Sequence, residues 1–147
     1  MKRIVTTNDK NGRSTIMIEE DVPAHALIWE TADGCPFGRE LIERAHGLDF
    51  PEGQSQARYL EIPTDADMAE YLRKGIPGLD ANGFHRTGTL DFLVLLEGRL
   101  TLELDKGKAE LRPGDVVVQR DTNHAWRNTG DGPARCFVII NCPSAVA

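Results

Sequence analysis

The chain of 147 residues has the length of one domain, because single domains commonly span about 100 to 200 residues. Hydrophobic residues make up 40% of it and charged residues 27%, a balance that is typical of globular proteins and excludes an intrinsically disordered chain. A formal net charge of −6 disfavours binding to a phosphate backbone or to an anionic membrane surface. We therefore expect one domain over residues 1–147 whose partners include neither nucleic acid nor membranes.

Neither a secretion signal nor a spanning segment is predicted. The N-terminal residues lack an apolar stretch, and no run approaches about 18 consecutive apolar residues. The three cysteines, Cys35, Cys136 and Cys142, are odd in number, and none belongs to a C-x-x-C pair. We expect free, buried thiols and a cytoplasmic location, where thiols stay reduced.

The first half of the chain predicts few elements. Residues 35–56 are rich in loop-forming residues, and no element is predicted there. The Asn11-Gly12 pair favours a hairpin turn between the first two strands. The predicted strands of this half are residues 2–7, 14–19 and 25–31.

One short helix of two to three turns follows these strands. Thr64 is a suitable N-cap, and Asp67 places a negative charge in the first turn, where the helix dipole favours it. Met68, Tyr71 and Leu72 fall on one face of this helix. We expect these three side chains to pack into the core.

The second half predicts a series of short strands. An apolar strand at 89–96 and an alternating strand at 99–105 flank Glu97-Gly98, and we predict that they form a β-hairpin. Short strands at intervals of about 8 to 12 residues are typical of a sandwich or a barrel. The remaining predicted strands are residues 108–111, 115–120 and 134–141.

Polar residues alternate just before the apolar strand. His85, Thr87, Thr89 and Asp91 share parity, so on a single strand their side chains would point to one face, which apolar residues then continue. A face that changes from polar to apolar predicts a barrel interior with a polar mouth and a packed base.

A second polar strand carries His124, Trp126 and Asn128 at the same parity. Two strands of one barrel could therefore bring His85 and His124 together. Asn128 is expected to tie a loop together. The remaining histidines lie outside this pattern, and we interpret them as surface or packing residues.

The spacing of these residues resembles that of the cupin superfamily. Its first motif, G(X)5HXH(X)3–4E(X)6G, corresponds to His85, Thr87, Asp91 and Gly98. The run HRTGTLDFLVLLEG with GDVVVQRDTNHAWRN is similar to small single-domain cupins of bacteria and of fungal natural-product gene clusters, some described as oxidoreductases. The second motif, G(X)5PXG(X)2H(X)3N, is met in part, by Gly107, Pro113, Gly114, His124 and Asn128.

This resemblance is specific over residues 83–141, weaker over 1–35, and absent over 36–80. It implies an all-β fold, a double-stranded β-helix (jelly-roll) barrel with one short helix. It also implies a homodimer, with the N-terminal strands extending a sheet or pairing with a neighbouring subunit.

Two departures from the first motif affect its metal site. Thr87 stands where the motif has its second histidine, and Asp91 stands where it has glutamate. Because a threonine hydroxyl is a poor ligand for a divalent transition metal, the ligand set is reduced to His85, Asp91 and His124. Two histidines and one carboxylate are the ligands of many iron(II) oxygenases. The candidate cofactor is therefore a divalent metal, with Fe, Mn, Ni and Zn all open.

The site residues thus have candidate roles and structural alternatives. His85, Asp91 and His124 are candidates for catalysis, and Thr87, Thr89 and Trp126 for substrate binding. Alternatively, the histidines and Asp91 are hydrogen-bonded interior residues, with Asp91 bonded to Thr87. In that case the threonines serve as β-formers and Trp126 packs in the core.

The resulting functional hypotheses belong to different classes. The first is an enzyme for a small, mostly apolar, oxygenated metabolite, aromatic or polyketide-like, that uses a metal for oxygenation or for activation of a carbonyl or enol. Its metal-free version transfers protons through His and Asp, as an isomerase, dehydratase or decarboxylase. The others are a small-ligand-binding module and a structural cupin.

Overall fold

The computed structural model of the protein describes residues 2–8, 10–11, 13–21, 23–31, 48 and 50–143. Within this part the chain forms ten strands and one helix. No helix there is long and apolar enough to cross a membrane. The elements are β1 (Lys2–Asn8), β2 (Ser14–Asp21), β3 (Leu27–Glu30), β4 (Ser55–Ile62), α1 (Asp65–Lys74), β5 (Leu90–Glu97), β6 (Leu100–Leu104), β7 (Lys108–Leu111), β8 (Val116–Arg120), β9 (His124–Arg127) and β10 (Ala134–Asn141).

The strands form three antiparallel sheets. A five-stranded sheet has the order β3-β4-β10-β5-β8, and a three-stranded sheet has the order β7-β6-β9. β1 and β2 pair with each other in a two-stranded sheet, on which Ile16 and Met17 are exposed. The predicted all-β jelly-roll fold is confirmed.

The core lies between the two larger sheets. Its side chains point inward from alternate positions of facing strands, so apolar area is removed from water on both inner faces. The buried core residues are Ile62, Leu93, Leu95, Leu100, Leu102, Leu111, Val117, Ala134, Cys136, Val138 and Ile140.

The predicted hairpin between β5 and β6 is wrong. β5 pairs with β8 and β10, whereas β6 pairs with β7 and β9, so the turn between them carries the chain from one sheet to the other. Gly98 in this turn has φ +90°, and a Cβ on it would lie 3.1 Å from Cα of Ala134. Two consecutive apolar strands and a Gly turn fit a sheet corner as well as a hairpin, which explains the error.

The helix begins where the sequence predicts. The backbone N–H of Asp67 donates to Oγ1 of Thr64 at 3.2 Å, and the Thr64 hydroxyl donates to Asp67 Oδ2 at 2.8 Å. The expected core packing of its apolar face is wrong in part. None of the ten residues of α1 is buried, and Tyr71 is 50% exposed, while Met68 and Leu72 are half-buried. The helix therefore lies on the surface of the protein, and only a narrow apolar stripe of it is half-buried.

The structure also bears on the predicted strands at both ends of the chain and on the cysteines. β1, β2 and β3 confirm the N-terminal strands, and β10 has the predicted bounds. Cys136 is buried and Cys142 half-buried, and they do not form a disulfide bond with each other. Burial raises the pKa of the Cys136 thiol to about 12, so this side chain serves as an apolar core residue. Cys35, His46 and Gly12 of the predicted first turn lie outside the described residues.

Candidate functional site

The structure brings His85 and His124 into direct contact. Their backbones form an isolated bridge in which each N–H donates to the other residue's carbonyl at 3.0 Å. Their ring centroids lie 4.2 Å apart, with the ring planes at 49°. The predicted convergence of the two histidines is therefore present.

His85 does not lie on the same strand as Asp91, although the sequence pattern predicts that it does. β5 begins only at Leu90, so His85 and Asp91 do not share one strand. The chain bends between them at Gly88, whose φ is +68°. The alternation of side chains along a strand therefore does not determine the direction in which the His85 ring points.

A charged contact holds this bend against the turn before His124. The guanidinium of Arg86 donates to both oxygens of Asp121, at 2.8 and 2.6 Å, and the N–H of Gly88 donates to Asp121 Oδ1 at 3.1 Å. The N–H of Asp121 in turn donates to the Thr89 carbonyl at 2.9 Å. We call this set of contacts the Arg86–Asp121 clasp. It links the two histidine-bearing segments at the surface, beside the backbone bridge between His85 and His124.

Backbone carbonyls orient both imidazole rings. Nδ1 of His124 lies 2.9 Å from the Thr122 carbonyl, and Nδ1 of His85 lies 3.5 Å from the Gly83 carbonyl. A carbonyl can only accept, so these contacts assign the proton to Nδ1 and leave Nε2 as an acceptor. Burial lowers the pKa of His124 to about 4 and also lowers that of His85. Both rings are neutral at neutral pH.

Gln119 positions His124, a role that sequence reasoning missed. Its side-chain amide is buried and donates to the Thr122 carbonyl at 2.8 Å, the same oxygen that faces Nδ1 of His124. A glutamine on an alternating strand gives no signal of this role unless the strand's inward face is known.

Asp91 lies on the inner face of β5. It pairs in register with Gln119 on one side and Ile140 on the other, whereas Leu93, two residues later, pairs with apolar neighbours. The interior thus changes from polar to apolar along β5, as predicted. We call the part of the interior around Gln56, Arg58, Thr89, Asp91, Gln119 and His124 the polar end of the barrel.

The carboxyl group of Asp91 is only partly satisfied. Its Oδ1 is buried and has no hydrogen-bond partner among the described residues. Thr89 hydrogen-bonds to Asp91, and the hydroxyls of Thr89 and Thr87 lie 2.7 Å apart. Burial raises the pKa of Asp91, while the Thr89 hydrogen bond and the charge of Arg58 oppose that shift. The bond proposed from Asp91 to Thr87 thus runs through Thr89.

Trp126 and Asn128 pack and hydrogen-bond next to the two histidines. The ring of Trp126 meets that of His124 edge-on, with centroids 5.7 Å apart, and packs against the core. Nδ2 of Asn128 donates to the carbonyls of Ile62 and Gly132, at 3.0 and 2.9 Å. Asn128 thus ties a loop together, as predicted.

The residues only partly fit a metal. Two neutral imidazoles with Nδ1 hydrogen-bonded to carbonyls are suitable donors, because metal-binding histidines are usually held in this way. However, no three His, Cys, Asp or Glu side chains of the described residues are grouped so that they could hold a metal ion. The set His85, Asp91 and His124 is therefore not assembled around one point, and metal binding stays a prediction.

Comparisons with known proteins identify relatives that carry a cupin domain. The family model "Cupin domain" matches residues 76–140. The cupin-domain-containing oxidoreductase fogC of Aspergillus ruber is 33% identical over 154 residues, covering 95% of this chain and 72% of the relative. The cupin-domain-containing oxidoreductase srdD of Neurospora crassa is 43% identical over 75 residues, covering 48% of this chain and 38% of that protein.

A solved structure supports the fold. The Cnp3 cupin domain of Schizosaccharomyces pombe has a TM-score of 0.51 and is 12% identical, covering 96% of this chain and 83% of that one. At this identity the likeness concerns the fold alone.

Proposed function

Because the chain belongs to the cupin family, we propose that it is an enzyme for a small, mostly apolar, oxygen-containing metabolite bound at the polar end of the barrel. The observation that carries this proposal is the buried Oδ1 of Asp91, which has no partner among the described residues. Leaving a buried acceptor unsatisfied costs about 1 to 3 kcal/mol, which a ligand that donates a hydrogen bond would offset. The apolar residues beneath it suit the rest of such a ligand.

The proposed chemistry is activation of a carbonyl or enol by proton transfer. Asp91 takes a proton from the carbon next to a ligand carbonyl, and the electron pair of the broken C–H bond forms a C=C bond as the carbonyl pair moves onto oxygen. Burial moves the pKa of Asp91 upward, toward the range that suits proton transfer near neutrality. Return of the proton to the oxygen gives the enol and completes an isomerisation.

The histidines have a different role in this scheme. With a pKa of about 4, His124 is a weak base at neutral pH. Its Nε2, like that of His85, instead accepts a hydrogen bond from a ligand hydroxyl. In this scheme the two rings orient the ligand, and we infer that Thr87, Thr89 and Trp126 contact it.

Metal-assisted oxygenation is the second candidate. The orientation of both Nδ1 atoms toward carbonyls favours it, as does the name oxidoreductase carried by the Aspergillus relative. His85 and His124 would supply two ligands, with Asp91 the predicted third, and Fe, Mn, Ni and Zn all remain open. When bound, such a metal would supply Lewis-acid activation or a site for O₂.

Proton exchange tests the first candidate. Acetylacetone, an enolisable diketone, is incubated in D₂O with the protein purified without a polyhistidine tag, and loss of its central C–H signal is followed by NMR. We expect exchange faster than in buffer, a loss of about a hundredfold in Asp91→Asn, and no change in Asp131→Asn, an exposed loop carboxylate. Exchange at the buffer rate in the wild type would contradict the proposal.

Metal content separates the two candidates. Elemental analysis of the same preparation, before and after treatment with chelator, is compared with the exchange rate. Exchange that survives chelation supports proton transfer by Asp91, whereas exchange that is lost with a stoichiometric metal supports the second candidate.

A further inference from the structure

Several hydrogen-bond donors at the polar end of the barrel are already used within the protein. Both amide hydrogens of Gln119 are donated to Thr122, at 2.8 Å to its carbonyl and at 2.5 Å to its hydroxyl. The Nδ1 hydrogens of His85 and His124 face backbone carbonyls. A glutamine amide and a neutral imidazole in these states have no further hydrogen to offer a ligand.

The threonines and the arginine of this end are engaged in the same way. A threonine hydroxyl carries one hydrogen, and that of Thr89 is donated to Asp91. The hydroxyl of Thr87, 2.7 Å from that of Thr89, therefore donates to Thr89. Nε and Nη2 of Arg58 donate to Oε1 of Gln56, at 2.9 and 2.6 Å, and both residues make further contacts within the chain. These donors therefore serve contacts inside the protein.

Acceptors at the polar end, in contrast, are left without donors. Oδ1 of Asp91 is buried and has no hydrogen-bond partner among the described residues. With the proton on Nδ1, the Nε2 atoms of His85 and His124 are acceptors, and neither bonds to a side chain or carbonyl in the described part of the chain. Because a buried acceptor without a donor costs free energy, this end of the barrel favours a ligand that brings hydrogen-bond donors.

These three acceptors lie at two places in the interior. The imidazole centroids of His85 and His124 are 4.2 Å apart, so the two Nε2 atoms lie in one small region. Asp91 is not grouped with both rings closely enough for the three side chains to hold one ion, within the ranges that the structure describes. A molecule with two donor groups suits this arrangement better than a single ion. The core residues beneath, which include Leu93, suit an apolar frame between those groups.

We propose that the site selects neutral ligands that carry two hydroxyl groups on an apolar frame. One hydroxyl donates to the imidazole pair of His85 and His124, and the other donates to Oδ1 of Asp91. Both O–H bonds stay intact, because the protein supplies acceptors in this recognition step and takes up no proton. The proposal rests on the proposed function and names the substrate class of that site.

Dihydroxybenzenes and their methyl ethers test this selection. A dihydroxybenzene, its monomethyl ether and its dimethyl ether offer two, one and no hydroxyl donors, and the 1,2, 1,3 and 1,4 isomers vary the distance between them. Binding is measured by calorimetry at pH 7 under nitrogen, with chelator present so that no metal takes part. For at least one isomer, the wild type is expected to bind the dihydroxy compound at least about tenfold more tightly than the dimethyl ether, with the monomethyl ether between them. Equal affinities within every series would overturn the proposal.

Variants locate the effect. Asp91→Asn keeps the shape of the side chain but places an NH₂ donor where an acceptor is needed, so the preference should fall to about twofold or less. His85→Phe keeps an aromatic ring, removes one Nε2 and should also lower the preference. Asp131→Asn, at an exposed loop carboxylate, is the matched control and should behave as wild type. A preference that persists in both site variants would overturn the proposal. If Asp91→Asn does not fold, as circular dichroism will show, the wild-type series and His85→Phe decide the outcome.

The outcomes also separate this proposal from the proposed function. Proton exchange into acetylacetone without any preference among the probes overturns this proposal and leaves the proposed function in place. A preference for dihydroxy probes without proton exchange supports this proposal and contradicts the proposed chemistry. Benzylamine, whose ammonium group also brings donors, is measured beside the probes, and tighter binding of benzylamine than of every dihydroxybenzene would overturn the choice of a neutral ligand.

Discussion

The low pKa of His124 predicts a specific loss of stability in mild acid. In the folded protein burial lowers this pKa from 6.5 to about 4, whereas in the unfolded chain the imidazole titrates near 6.5. Between these values the unfolded chain binds a proton that the folded protein does not. The free energy of unfolding therefore falls as the pH drops from about 6.5 toward about 4, and the contribution is complete above the upper value.

The size of this effect follows from the two values. A shift of one pKa unit corresponds to about 1.4 kcal/mol, so complete protonation would cost about 3 kcal/mol. Between about pH 7.5 and about pH 5, where only the unfolded chain is largely protonated, the loss is about 2 kcal/mol. The lowered pKa of His85 acts in the same direction, and the raised pKa of Asp91 acts in the opposite direction. The contribution of His124 to the pH dependence of stability is therefore separated from theirs by comparing variants.

Urea unfolding at the two pH values measures the loss. We expect the decrease in unfolding free energy to be smaller by about 2 kcal/mol in His124→Gln than in the wild type. His25→Asn is the control, because His25 is exposed with φ +62°, and asparagine accepts that conformation. The same decrease in wild type and His124→Gln would refute the reasoning that His124 is buried in its neutral form.

Three further predictions concern the site and the assembly. Asp121→Ala breaks the clasp and should weaken the NMR cross-relaxation between the rings of His85 and His124, although the backbone bridge between them remains. Asp121→Asn, which tolerates the φ of +46°, should weaken it less, and unchanged cross-relaxation would refute the clasp. If the protein binds a metal, elemental analysis should find Thr87→Ala near wild type, His124→Ala depleted and Thr87→His enriched, and equal content in all four would contradict the ligand set. Apolar side chains exposed on β2 predict a homodimer, so sedimentation at low micromolar concentration should show more than a 16.3 kDa monomer.

Local patterns predicted much of the fold because their causes are local. The cap at Thr64 and the bounds of β10 depend on neighbouring residues, and both agree with the structure. The pairing of β5 with β8 and β10 depends on segments far away in the chain, which no local pattern encodes. β4 was not predicted, since its inward positions Gln56 and Arg58 are polar and hide the alternation of a half-buried strand.

Part of the candidate site could also be predicted from the sequence. Motif spacing indicated that His85 and His124 would meet, and they do, although the two residues were expected on longer strands. Asp121, Gln119 and Arg58 gave no signal in the sequence. A polar residue on a strand or in a turn has the same pattern whether it faces water or the interior, so their roles become visible only when both sheets are in place.

The position of His85 explains how threonine can stand at the second histidine position of the motif. Because the chain bends at Gly88, Thr87 lies between the bridge at His85 and the start of β5. Its hydroxyl hydrogen-bonds to Thr89, which in turn hydrogen-bonds to Asp91. A histidine there would add an imidazole but remove the outer member of this chain. The structure thus places Thr87 in a hydrogen-bonded chain of side chains that ends at the carboxyl group of Asp91.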